Sequence, residues 1–515
     1  CPVAVEISSE VKRIAFLMMV FVTCNGVGDA AESTAEIHFH GRWDLSDTSN
    51  PWCAWQGSTF AAEFEGRQIS ATLESDREEY IRVILDGDHR GSRRIRLEAG
   101  RCVYELASGV DLGRHRIEVV KETYSGRGRL YLRGLESHGG EIIPSERRRP
   151  RLRLQFYGDS NLAGYSLEHE RNARGAEFSG CHFTFAGIVS RMLDAEYQNI
   201  SVSGAKILGS SNSVMSFFDR MDFYEEQPKW KFERFPADVC VLNIGANNVN
   251  RNSKEEILRD YLILLRRLRE VHPESHIVVM NGYGWDRNEP ANYTDEVVRQ
   301  FADENTSRVI FPWLFNEWHG CEYDHAGMAR FLAEHLETVC PDWKAIRGMD
   351  VLDGFGRDGD VANGSFEEVA PFGGFAWRYF QEGAIRVHDP AGSSAGEWFL
   401  RLPEKSQVHQ PTPASKSRFY TYRLMLRSPD SGEAKVRIEF RDQHFRSEIE
   451  GAAQEFVFNL ESEWREYSVR VESPGGTGEP SQDTWQIILR LVSNVGTVEC
   501  DNVRLSEGGS VGKNH

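Results

Sequence analysis

The feature that most constrains this chain is a change of periodicity that happens twice along its length. From Ala35 to about Gly139, short runs alternate apolar and polar residues and are broken by Gly and Asp, as at 59–64, 80–85 and 115–120. Side chains alternate faces along a strand, so this texture predicts an all-β sandwich. From Leu152 the pattern switches. Apolar strands at 152–157, 237–244 and 277–280 are interleaved with helical spacing at 182–195, 255–270 and 326–339. Strands alternating with helices predict a doubly wound parallel α/β sheet. β texture returns from about 350 to 508, for example at 435–440 and 485–491. The expectation is a multidomain β, α/β, β chain: a targeting segment at 1–34, a β domain at 35–146, an α/β catalytic domain at 151–346, a second β domain at 350–508 and a tail at 509–515. The charged stretch Glu146-Arg147-Arg148-Arg149-Pro150-Arg151 reads as a solvated linker.

Composition narrows the function. A chain of 515 residues is too long for one core, which agrees with several domains. Lys+Arg 60 against Asp+Glu 78 leaves a net charge of −18, the opposite of the basic field that a nucleic-acid binder needs. With a mean hydropathy of −0.48 and no long apolar run beyond the N-terminal region, no transmembrane span is expected. Lys12-Arg13 precedes an apolar run at 14–23 that is too short to cross a bilayer, and small and polar residues follow. That is the pattern of a signal peptide, ending either at Gly28-Asp29-Ala30 or at a candidate lipid anchor, Cys24. A secreted or periplasmic location is expected. Nine cysteines without a CxxC pair give neither a zinc site nor a disulfide scaffold, and pairing stays open.

The chemistry concentrates in the middle of the chain. Gly158-Asp159-Ser160-Asn161 follows the first α/β strand, and open α/β sheets bind ligands at the carboxyl ends of their strands. A serine hydroxyl needs a base to become a nucleophile. His325, just before the last helical stretch, is the predicted base, and His319 is the weaker candidate. Ser203-Gly204 and Gly245-Ala246-Asn247-Asn248 end the next two strands. The N–H groups of Ser160 and Gly204 and the Asn247 amide are then candidate donors to an oxyanion. Asp159 is read as a loop-structuring residue. Trp285 is the candidate substrate-binding aromatic.

This ordered set resembles the four blocks of the SGNH hydrolases, over about 151–346. The preceding Gly41-Arg42-Trp43, Trp55-Gln56-Gly57-Ser58, Gly113-Arg114-His115 and Lys121-Glu122-Thr123, with Gly320-Cys321 later, resemble family 2 carbohydrate esterases. The resemblance implies a jelly-roll ahead of the catalytic domain, and cofactor-free removal of O-acetyl groups from acetylated polysaccharide or oligosaccharide such as xylan, through an acyl-enzyme. The chain departs from the family at Asn248, where an Asp is usual, and at Ala326, where a Pro is usual. Glu322 or Asp324 is the candidate acid that orients His325. Asn363-Gly364-Ser365-Phe366-Glu367-Glu368 and the segment around Asp501 resemble jelly-roll carbohydrate-binding modules. That likeness implies a structural calcium at Glu367, Glu368 and Asp501, and sugar stacking by Trp377, Tyr379, Tyr420 or Trp464. The alternative, a carbohydrate-binding protein with a degenerate esterase core, is disfavoured by the survival of both a serine and a histidine.

Overall fold

In the computed structural model, the described residues are 34–124, 128–146, 150–168, 173, 175–249, 251–280, 293–311, 319–346, 360–368, 376–379, 383–442, 448–475 and 483–510. Residues 1–33 with Cys24, the linker arginines Arg147, Arg148 and Arg149, and Trp285 lie outside them, as does the side chain of Tyr379; Arg151 of the linker donates to the Asp342 and Lys344 carbonyls. Among the described residues no helix is long and apolar enough to cross a membrane, and the seven cysteines there form no disulfide.

The central sheet has five parallel strands: β1 (Leu152–Gly158), β2 (Ala195–Ser201), β3 (Val239–Asn243), β4 (His276–Met280) and β5 (Thr306–Val309), in the order β2-β1-β3-β4-β5. Alternate residues feed two cores. Leu154, Phe156, Val241 and Val278 face the side of helices α1 (Phe185–Met192) and α4 (Glu322–Val339). Tyr157, Leu242, Ile277 and Val279 face the side of α2 (Lys254–Val271) and α3 (Tyr293–Phe301). The Ser253 hydroxyl and Glu256 cap α2 reciprocally. Both faces of the sheet are therefore covered, as continuous apolar strands require. The chain leaves β1 for β2 on one side and returns to β3 on the other, so the switch in strand order opens a crevice at their carboxyl ends.

The N-terminal region is all β, as its texture predicts: a nine-stranded antiparallel sheet and a two-stranded pairing of Thr34–Ala35 with Ser145–Glu146. Two long strands, Thr59–Ser75 and Gly100–Lys121, pair from Thr59 with Val120 to Ser75 with Gly100. A register shift between Gly66 and Gln68 lets them bend. Trp43, Phe60, Phe64, Ile81 and Ile117 fill their own core.

At the C-terminal end two five-stranded antiparallel sheets enclose Leu400, Tyr422, Val436, Ile438 and Leu489. Their core does not close on itself. It is continuous with Val189 of α1 and with Ala329, Leu332 and Leu336 of α4.

Candidate active site

Ser160 follows directly from β1. Gly158 is required there by close approach, since a Cβ would sit 2.6 Å from the Asn243 carbonyl oxygen of β3. Asp159 is buried. Its Oδ1 accepts the Asn161 N–H at 3.1 Å, and burial raises its carboxyl to about 7. Asp159 thus shapes the turn that presents the serine.

The imidazole at Ser160 belongs to His319. Its Nε2 lies 2.9 Å from Ser160 Oγ. Burial lowers His319 to about 4, so at neutral pH the ring is uncharged and Nε2 can accept the serine proton. Tyr165 lies against the ring, with centroids 5.1 Å apart.

The expectation for His325 is corrected. It is the fourth residue of α4, buried, and its Nδ1 accepts the Phe185 N–H at 3.1 Å. That N–H opens α1 and has no partner within its own helix. His325 also stacks on the Phe185 ring and is held at about 3 by burial. It is a neutral brace between two helices. The reason is local: α4 begins at Glu322, so residue 325 points into the packed interior, while His319 precedes the cap and can reach the serine.

The predicted role of Asp324 as the acid that orients His325 is corrected with it. Asp324 caps its own helix, with Oδ2 accepting the Cys321 N–H at 2.9 Å and Oδ1 2.5 Å from the Arg378 guanidinium. Glu322 is the buried first residue of α4. Burial is the cause of the depression at His319.

Gly204 and Asn247 come to the same end of the sheet. Gly204 has a φ of +77°, a left-handed turn that favours glycine. Among the described residues, neither its N–H nor that of Ser160 finds a partner. The Asn247 amide donates one hydrogen to the Ala205 carbonyl at 2.9 Å, which fixes its direction and leaves its second hydrogen free. Asn248 keeps the acceptor that the usual Asp would supply: its Oδ1 takes the Ile207 N–H at 3.2 Å.

The N-terminal motifs brace this machinery. The Arg42 guanidinium is buried and donates to Gln198 and to the carbonyls of Phe218 and Arg220. Gln56 donates to Ser201 at the end of β2. Glu122 pairs with Arg82 and accepts the N–H groups of Cys181 and His182 ahead of α1. Arg82 also reaches Glu168 at 2.6 Å. A crevice of about 200 Å³ opens elsewhere at this junction, lined by Thr59, Arg116, His182 and Arg191, and contains none of the four site residues.

The calcium expectation does not fit the residues present. Glu367 accepts the N–H groups of Glu397 and Trp398. Asp501 accepts from Ser394, Ala395 and Asn502. Glu368 pairs with Arg90. These oxygens face hydrogen-bond donors and do not converge on a common point; among the described residues no cluster of three acidic, His or Cys side chains has metal-site geometry. Two of the proposed sugar platforms are core residues, Trp377 and Tyr420. Trp464 lies under Arg427 and donates to the Gly392 carbonyl.

Residues 39–145 match the family described as carbohydrate esterase 2 N-terminal, and residues 156–335 match the GDSL-like lipase/acylhydrolase family. Among curated relatives, the cellulase/esterase CelE of Acetivibrio thermocellus is 25% identical over 329 residues, 60% of this chain and 40% of that protein. The chain thus spans less than half of that relative. The acetylxylan esterase / glucomannan deacetylase of Cellvibrio japonicus is 22% identical over 61% of this chain and 91% of that protein. A solved family two carbohydrate esterase from Clostridium thermocellum, in complex with cellohexaose, superposes with a TM-score of 0.55 at 24% identity, over 59% of this chain and 99% of that one. This likeness supports the fold. Both family matches end before the C-terminal sheets.

Proposed function

We propose that this chain is a carbohydrate acetylesterase that works by a Ser160–His319 acyl-enzyme mechanism. The observation that carries the reading is the 2.9 Å contact between Ser160 Oγ and a neutral His319 Nε2 at the switch point of the sheet. Oγ attacks the acetyl carbonyl as Nε2 takes its proton. The N–H groups of Ser160 and Gly204 and the free Asn247 amide hydrogen receive the oxyanion. On collapse, His319 returns the proton to the departing sugar oxygen. Water then repeats the sequence on the acetyl-enzyme and releases acetate. No step requires a metal or cofactor. The N-terminal apolar segment supports export, where acetylated polysaccharide is met.

The intact pair disfavours a purely binding protein. Acetate release from acetylated xylan and glucomannan by the purified chain tests the proposal, with Ser160→Ala as the blank. Acetate production that requires Ser160 is expected; equal rates with and without the hydroxyl would overturn it.

A further inference from the structure

We infer that Arg378, in the C-terminal sheets, is a positioning residue for the catalytic histidine, so that the C-terminal domain is part of the esterase rather than a detachable binding module. The inference rests on the proposed Ser160–His319 chemistry. His319 sits on the segment that enters α4, two residues before the cap Cys321. That cap is set by Asp324, whose two oxygens are divided: Oδ2 holds the Cys321 N–H at 2.9 Å, and Oδ1 meets Arg378 Nη2 at 2.5 Å. Both partners are almost wholly buried, at 8% and 2% exposure of the side chain. A charged pair out of water is held to one geometry, because moving either partner weakens an attraction that offsets the cost of burying both charges. The rotamer of Asp324, and with it the entry of α4, therefore depends on a side chain from beyond residue 335, where the family match stops.

Two further contacts tie the same end of the fold together. The shared core of α1, α4 and the C-terminal sheets fixes α4 against the strands that carry Arg378. Glu368 of the C-terminal region pairs at 2.6 Å with Arg90 of the N-terminal sheet. In that second bridge Arg90 is 60% exposed, so water screens the pair, and Arg90 serves as the solvent-facing control for the buried Arg378. A misplacement of about 1 Å in a reacting group costs up to about a hundredfold in rate. Losing the buried pair should thus register in the chemistry itself.

The test uses the full chain and an organophosphonate that esterifies Ser160, with the labelling rate expressed per folded molecule from circular dichroism. Arg378→Met should slow labelling, and lower kcat on a small soluble acetyl ester, by about ten- to a hundredfold with KM little changed. Arg378→Lys should recover part of the rate. Asp324→Asn keeps an acceptor for the Cys321 N–H but loses the ion pair, and should match Arg378→Met. The double variant should be no slower than the worse single one, since both remove one interaction. Arg90→Gln should label like wild type. If Arg378→Met does not fold, Asp324→Asn decides the matter. Wild-type labelling rates in these variants, with only a lower melting temperature, would reduce the ion pair to a stabilising contact and overturn the inference. Failure of wild type itself to label at Ser160 would instead overturn the proposed chemistry.

Discussion

Replacing the two histidines of the last block separately gives opposite outcomes, and the size of each follows from its contacts. His319→Ala removes the group 2.9 Å from Ser160 Oγ. General-base assistance is worth about 10²–10⁴ in rate, so turnover should fall by that factor, or about 3–5 kcal/mol of barrier. Melting should change little. His325→Ala leaves the Ser160–His319 contact in place but strands the buried Phe185 N–H, which now donates to Nδ1. An unsatisfied buried donor costs about 1–3 kcal/mol, and the lost ring leaves a cavity beside Phe185 that adds to it. The melting temperature should drop clearly while kcat on a small acetyl ester, measured well below melting, stays within about one decade. The assay is kcat on that ester beside a thermal melt of each variant. A His325→Ala enzyme that folds but is the more deeply inactivated of the two would refute the reasoning.

The acid limb of kcat/KM should have its midpoint near 4, because burial lowers His319 to about 4 and the working base is the neutral ring; a midpoint near 6.5 would contradict the burial argument. Asp159→Asn should stabilise the protein as pH rises. The folded carboxyl is raised to about 7 from 3.8, so Asp159 costs nothing below 3.8 and costs progressively more up to about 7, with a ceiling of about 4 kcal/mol. Denaturant midpoints of the two proteins at pH 4 and pH 8 check this: the gap should widen at pH 8. Ending the chain near 349 should lower both melting temperature and small-ester turnover, since the cut exposes the core shared with α4 and deletes Arg378; a truncated enzyme with full turnover would show a separable module.

Much of the site was legible in the sequence because its residues end strands. Gly158-Asp159-Ser160, Ser203-Gly204 and Asn247 each follow a strand, and a parallel sheet gathers such ends at one edge. The histidine was misread because two candidates stand six residues apart and the second resembled the family spacing. A signal separating them was present. Asp324 three residues after Cys321 makes a helix cap, and the small residues Ala326, Gly327 and Ala329 continue a packed helix, which places 325 inside it and leaves 319 on the loop. The acidic residues read as calcium ligands lie beside turns, where backbone N–H groups compete for the same oxygens. Arg378 gave no signal at all, since an ion pair across 54 residues has no local pattern.

The most direct test of the central claim is to trap the acyl-enzyme. Wild type mixed with an acetyl ester and quenched in acid within the first turnovers should carry one acetyl group on the peptide containing Ser160, read by mass spectrometry, and the label should disappear on longer incubation as acetate accumulates. Ser160→Ala should carry none. Acetate release without any acetylated Ser160 peptide, or an acetyl group on another residue that turns over at the rate of the reaction, would contradict the account.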